Sequence, residues 1–235
     1  MKKTETPVVL QEEMGAALPK RSYKKVIVVF SFAILIFASL VILLLFRKSL
    51  PEENVQTYEE EEYVGVDNLP TWVQVELLSV DGASRRGEKL EAVRDIAVHY
   101  VGNPGSSAMA NRNYFNSPDS TTSSHFIVGL EGEVILCIPL DEKSSATNER
   151  NRDTISIEVC HPDESGKFSD VTRNSLIRLL AFLCEKLNLT EEDLIRHYDV
   201  TGKLCPLYYV ENESEWLLLK ADVKRALEGE VLWEE

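Results

Sequence analysis

The sequence predicts an α/β protein: a single domain with a central mixed β-sheet flanked by helices, preceded by one transmembrane helix. Three observations carry this. Residues 26–46 (VIVVFSFAILIFASLVILLLF) carry no charge, and a bilayer-spanning helix needs about 20 such residues. Between residues 92 and 160, four apolar runs of strand length are separated by turn residues and polar loops. Beyond residue 169 the apolar period lengthens to that of amphipathic helices.

The uncharged run ends in Leu-Leu-Leu-Phe followed by Arg47 and Lys48, without the small-residue cleavage site of a signal peptide. It therefore reads as an uncleaved anchor. Lys20, Arg21, Lys24 and Lys25 precede it, with Lys2 and Lys3 further out. Positive flanks stay in the cytoplasm, so residues 1–25 form a cytoplasmic tail and everything after residue 48 lies outside the cell. Residues 47–68 include Glu52, Glu53 and the run Glu59 to Glu62 with few apolar partners. Such a stretch stays solvated and serves as an acidic stalk. The formal net charge of −14 argues against nucleic acid, whose phosphates would be repelled. A monomer is expected.

Residues 69–84 read as irregular chain docked on the domain edge. Residues 92–101, with Ile96, Ala97 and Val98, form a buried strand. Asn103-Pro104 breaks it. A short helix follows over 106–115, then a polar loop over 116–122. Residues 124–129 and 133–138 form a hairpin around Leu-Glu-Gly. Residues 141–153 read as a charged loop. Residues 154–160 set Ile155, Ile157 and Val159 on one face and Ser156, Glu158 and Cys160 on the other. Ser169 or Asp170 caps a helix to residue 187, with Val171, Ile177, Leu180, Ala181, Cys184 and Leu187 as its stripe. Thr190 with Asp193 caps a short second helix. A last helix over 213–227 aligns Trp216, Leu219, Val223 and Leu227 and stops at Gly229. Residues 69–228 thus form one domain large enough to bury a core, and 229–235 a C-terminal tail.

The chemistry gathers around RHYDVTGKLCP, residues 196–206. His197 stands eight residues before Cys205, and Asp199, Gly202 and Pro206 favour one compact loop. Imidazole nitrogen and thiolate are ligands that zinc prefers. A second histidine, His99, lies in the apolar run DIAVHYV. Two histidines and one cysteine leave a fourth tetrahedral position open, as catalytic zinc sites do. If Cys205 binds metal, three of the four cysteines remain, an odd number that makes a disulfide framework improbable. Cys184 falls on a helix core face, while Cys137 and Cys160 form either a pair or two buried thiols. Glu158 sits on the mixed face of an interior strand. A buried carboxylate there needs a reason, and an ion pair with Arg150, Arg152 or Arg196 is one.

The segments IAVHYVGNPG, SSHFIVGLEGEVI, TISIEVCH and RHYDVTGKLCP resemble the four signature segments of zinc-dependent N-acetylmuramoyl-L-alanine amidases. This type-2 family includes phage endolysins and the peptidoglycan recognition proteins. The resemblance runs roughly from residue 78 to 227. It implies a cell-wall hydrolase that cleaves the amide between N-acetylmuramic acid and L-alanine, with Zn2+ on His99, His197 and Cys205. It further implies Glu158 as general base and later acid, and Lys203 as a cation for the oxyanion; an exposed loop lysine is the alternative for Lys203. One departure stands out. Ser124 occupies the position where phage-lysozyme-type relatives carry a tyrosine, which favours the Glu158 mechanism. By strand alternation, His125 would face away from a site that Ser124 faced. Asn111, Arg112, Asn113 and Tyr114 offer groups for sugar and peptide, or merely form a surface helix. A non-catalytic peptidoglycan-binding module is the alternative function; such modules typically lose the cysteine that is present here as Cys205.

Overall fold

The computed structural model describes residues 65–80 and 82–230. The expected cytoplasmic tail, membrane span and most of the stalk lie outside these residues. Among the described residues, no helix is long and apolar enough to cross a membrane.

Six strands form one sheet: β1 (Val73–Val75), β2 (Asp95–Tyr100), β3 (Phe126–Val128), β4 (Val134–Leu136), β5 (Thr154–Val159) and β6 (Leu194–Arg196). Their spatial order is β1-β4-β3-β5-β2-β6. The β3–β4 hairpin is antiparallel and every other pairing is parallel, so the sheet is mixed, as expected. The helices are α1 (Ala108–Phe115), α2 (Asp170–Leu187), α3 (His197–Thr201), α4 (Leu207–Glu211) and α5 (Glu213–Leu227). Ser107 caps α1 through Ala110, and Ser169 caps α2 through Thr172. Each cap satisfies a backbone N–H that has no helical partner.

Strand alternation divides the core into two layers. Ile96, Val98, Phe126, Val128, Ile155, Ile157 and Val159 join Leu176, Leu180 and Leu183 of α2 and Leu219 and Val223 of α5. Ile127, Ile135, Cys137 and Cys160 join Ala108 and Phe115 of α1 on the opposite face. Burying each large apolar side chain contributes about 1.5–3 kcal/mol, so both layers hold the sheet against its helices. Arg173 on α2 also pairs with Asp222 on α5 at 2.5 Å.

Three expectations need correction. Residues 73–75 are not irregular: their backbone completes the sheet edge beside β4. The stretch after Thr190 is a single 3-10 turn, Glu191–Asp193, closed by the expected capping box, and β6 follows at once. Val171 does not face the core but is 54% exposed, while Leu176, Leu179 and Leu183 are buried. The reason is that α2 packs on both the sheet and α5, which widens its apolar stripe from the middle of the helix onward. Residues 65–68 also lie against the domain: Gly65 accepts a backbone hydrogen bond from Leu140, and Val66 packs on the core.

Candidate metal and catalytic site

The site is built on three neighbouring parallel strands, β5, β2 and β6. His99 near the end of β2 is in register with Glu158 of β5, so their side chains share a face. On the other side Val98 is in register with Arg196, the last residue of β6. His197 follows directly and lies against His99, with ring centroids 4.8 Å apart. Functional groups collect at the carboxyl ends of parallel strands because the chain leaves the sheet there into loops that are free to vary.

Cys205 arrives by a reversal of the chain. The expected loop contains a one-turn helix, α3, capped by Gly202 at φ +78°. A Cβ is disfavoured in that left-handed conformation. Beyond it the Tyr198 N–H donates to the Cys205 carbonyl at 3.0 Å. Arg196 secures the start of the turn by pairing with Asp199 at 2.8 Å and donating to the Tyr209 carbonyl at 2.9 Å. Cys205 Sγ thereby comes 3.8 Å from His99 Nδ1.

One ligand atom each from His99, His197 and Cys205 lies within 4.8 Å of the others, and all three residues are buried. A tetrahedral centre with bonds of about 2.1 and 2.3 Å to nitrogen and sulfur sets such atoms about 3.6 Å apart. The nitrogens also fit a cation. His197 Nδ1 is buried without a hydrogen-bond partner. Both imidazoles are pushed toward the neutral form, the one in which they ligate metal. Burial, then His197 and Lys203, pushes His99 down to about 3. Burial and Lys203 lower His197. Burial and the nearby Glu158 push the Cys205 thiol up to about 12, against a backbone hydrogen bond from Tyr100. The site therefore gathers lone pairs without fixed positive charge among these three side chains. A divalent cation would reverse the thiol's preference, since a coordinating thiol is deprotonated outright.

The outward nitrogens of both rings are occupied. His99 Nε2 lies 3.2 Å from Thr147 Oγ1, and His197 Nε2 lies 2.9 Å from Asn148 Oδ1. These two residues come from the stretch, residues 141–153, read as a charged loop. It contains a 3-10 turn, Asn148–Arg152. Spacing could not have found them; only the left-handed φ of +54° at Asn148 marks the turn, and asparagine tolerates it.

Glu158 is 8% exposed, and its Oε2 is buried with no hydrogen-bond partner. Two of the arginines that might have neutralised it are engaged elsewhere: Arg150 with Asp95 and Asp153, Arg196 with Asp199 and Glu213. Burial pushes its carboxyl up to about 8 in the metal-free chain, and Lys203 opposes this; a divalent cation on the neighbouring side chains would favour the ionised form that a base needs. Glu158 and Lys203 line one groove of about 390 Å³ together with Tyr100, Asn111, Tyr114 and Thr122. Of the α1 residues singled out in the sequence, Asn111 and Tyr114 reach this groove. Arg112 does not: it donates to the carbonyls of Glu76 and Leu77 and ties α1 to the chain after β1. Asn113 accepts from Arg112 at 3.3 Å.

His125 is structural, but for a different reason than alternation suggested. Ile127, two residues on, is in register with Glu158, so His125 belongs to the Glu158 face. Both its ring nitrogens are bonded: Nδ1 accepts from the Ser156 N–H at 2.9 Å and Nε2 donates to the Glu142 carbonyl at 2.8 Å. Ser124 is fully buried and donates to the Phe126 carbonyl. Cys137, Cys160 and Cys184 are free, buried thiols, which closes the question of a pair.

Comparison with known proteins gives a consistent picture. A family model described as N-acetylmuramoyl-L-alanine amidase matches residues 89–207. The chain is 30% identical over 167 residues to N-acetylmuramoyl-L-alanine amidase CwlL of Bacillus licheniformis, covering 64% of this chain and 46% of that protein. It is 30% identical over 173 residues to amidase BlyA of Bacillus subtilis, covering 65% and 47%. The chain therefore spans about half the length of these curated relatives. Among solved structures, the catalytic domain of XlyA, a Bacillus subtilis amidase, superposes with a TM-score of 0.56 at 26% identity. That match covers 64% of this chain and 98% of the XlyA domain.

Proposed function

The chain belongs to the N-acetylmuramoyl-L-alanine amidase family, and we propose that it hydrolyses the peptidoglycan amide between N-acetylmuramic acid and L-alanine in a zinc-dependent reaction. The observation that carries this reading is the convergence of His99, His197, Cys205 and Glu158 at the carboxyl ends of three adjacent strands, beside an open groove. His99, His197 and Cys205 would hold the ion. Zinc in such a site is a Lewis acid that eases ionisation of a water near neutral pH. Glu158, the general base, takes a proton from the attacking water. The water oxygen bonds to the lactyl carbonyl carbon, and the C–N bond breaks. Glu158 then returns the proton to the departing alanine nitrogen. Lys203 supplies positive charge beside the carbonyl oxygen as it becomes an oxyanion. Glycan strand and stem peptide separate.

Mass spectrometry of muropeptides after digestion of purified cell wall by the full chain tests the bond. New free amino groups on L-alanine are the expected result. Cleavage between sugars or within the stem peptide would overturn the assignment, and tight wall binding without any cleavage would point to a recognition module instead.

We also propose that residues 26–46 anchor the chain in the cell membrane with the amidase domain facing the wall. Support for this comes from the uncharged run and its lysine-rich cytoplasmic flank. Protease added to intact protoplasts should release the domain and leave a small membrane-bound fragment. A domain that stays protected would rule the topology out.

A further inference from the structure

We infer that Thr147 and Asn148 act as a paired positioning device for the two histidine ligands, setting which ring nitrogen of each faces the metal. The inference rests on the zinc reading above and concerns residues outside the ligand set. An imidazole that gives one nitrogen's lone pair to a metal carries its proton on the other, and that N–H needs an acceptor. Here both acceptors come from consecutive residues of one turn. His197 Nδ1 is the buried orphan, while its Nε2 meets the Asn148 side-chain oxygen at 2.9 Å. His99 Nδ1 is the nitrogen 3.8 Å from Cys205 Sγ, while its Nε2 meets Thr147 Oγ1 at 3.2 Å. In both rings Nε2 meets the turn, which leaves Nδ1 as the nitrogen available to a metal.

The two acceptors differ in stringency. A carboxamide oxygen can only accept, so Asn148 selects one tautomer of His197. A hydroxyl can accept or donate, so Thr147 fixes the plane of the His99 ring more than its tautomer. The turn is stiffened from behind. Asn151 Oδ1 accepts from the Ala146 and Thr147 N–H groups at 3.0 and 2.6 Å. Arg150 pairs with Asp153 at 2.7 Å and also with Asp95 of β2. Thr147 itself is fully buried. The acceptors are thus held before any metal arrives, which lowers the ordering that binding must impose.

The test measures zinc dissociation from the purified full chain by competition with a chromophoric chelator, with thermal unfolding of each metal-free variant as the folding control. Asn148→Gly removes the amide without straining the left-handed backbone, which glycine accepts freely. It should weaken zinc binding about 10-fold or more, the usual range for outer partners of metal ligands. Asn148→Asp keeps an acceptor and should bind at least as tightly as the wild type. Thr147→Val should weaken binding by less than Asn148→Gly, and Thr147→Ser should restore it. In the zinc-loaded wild type, nitrogen NMR of the imidazoles should show the proton on Nε2 in both rings.

Wild-type affinity in both Asn148→Gly and Thr147→Val, or protons on Nδ1, would overturn the device while leaving the zinc site intact. Failure of the wild type to bind zinc at all would instead bring down the metal reading and the device with it. If Thr147→Val unfolds, Thr147→Ser decides that half: weakened binding in a folded Ser variant shows that the methyl group, not the hydroxyl, is what matters.

Discussion

Glu158→Gln should leave a folded, zinc-loaded chain that hydrolyses peptidoglycan at least about 10²-fold more slowly than the wild type, the scale of a lost general base. Glutamine keeps the shape of the side chain and its capacity to hydrogen-bond, but it cannot take a proton from water. Stability separates this role from a structural one. Glu158 is buried with an unpartnered Oε2. Arg150 and Arg196 are committed to other carboxylates. Burying a carboxyl without a partner costs stability, so relieving it should hold or raise the melting temperature. Had Glu158 been half of an ion pair, the substitution would strand a buried charge and lower stability by about 3–5 kcal/mol. Lys203→Ala should slow the reaction less, because Lys203 is exposed and a bound zinc would share the oxyanion's charge. A zinc-loaded Glu158→Gln chain working at the wild-type rate would move the proton role to another group lining the groove.

Cys205→Ser should reduce bound zinc from about one per chain to a small residue and take the activity with it. A serine hydroxyl is a far poorer zinc donor than a thiolate, and two imidazoles alone make an incomplete tetrahedral set. His99→Ala and His197→Ala should behave alike. Chelation of the wild type should produce the same loss, reversed by added zinc; the Cys205→Ser chain should not recover. The apolar layers against α2 and α5 do not depend on these side chains, so circular dichroism should report an intact fold throughout. Full zinc and full activity in any one of the three variants would remove that residue from the ligand set.

Much of this molecule was legible in the linear chain because the relevant physics is local. Alternation in TISIEV and the apolar run of DIAVHY specify strands. Ser169 and the stripe behind it specify α2, whatever lies nearby. The ligand types at His99, His197 and Cys205, with their signature segments, suggested a zinc amidase, and Ser124 already told against a tyrosine mechanism. What the chain could not reveal depends on pairing between distant segments. The turn at Glu191–Asp193 looked like a helix start because its capping box is a helix signal. Only the vacant edge of β2 turns the next three residues into β6 and delivers His197 beside His99.

The same holds for the site's surroundings. Asn148, Thr147, Arg150 and Glu158 all lie between residues 147 and 158, yet their partners are fixed by the β5-β2-β6 order and not by their spacing. Arg150 pairs with Asp95 and Asp153 and not with Glu158, whose buried Oε2 has no hydrogen-bond partner. Thr147 and Asn148 meet histidines about 50 residues away in opposite directions along the chain. Sequence alone determined which side chains were capable of this chemistry, since donor type and local backbone preference belong to single residues and short windows. Tertiary structure alone decided which of them meet, because strand order and the burial it imposes come from contacts between segments far apart in the chain.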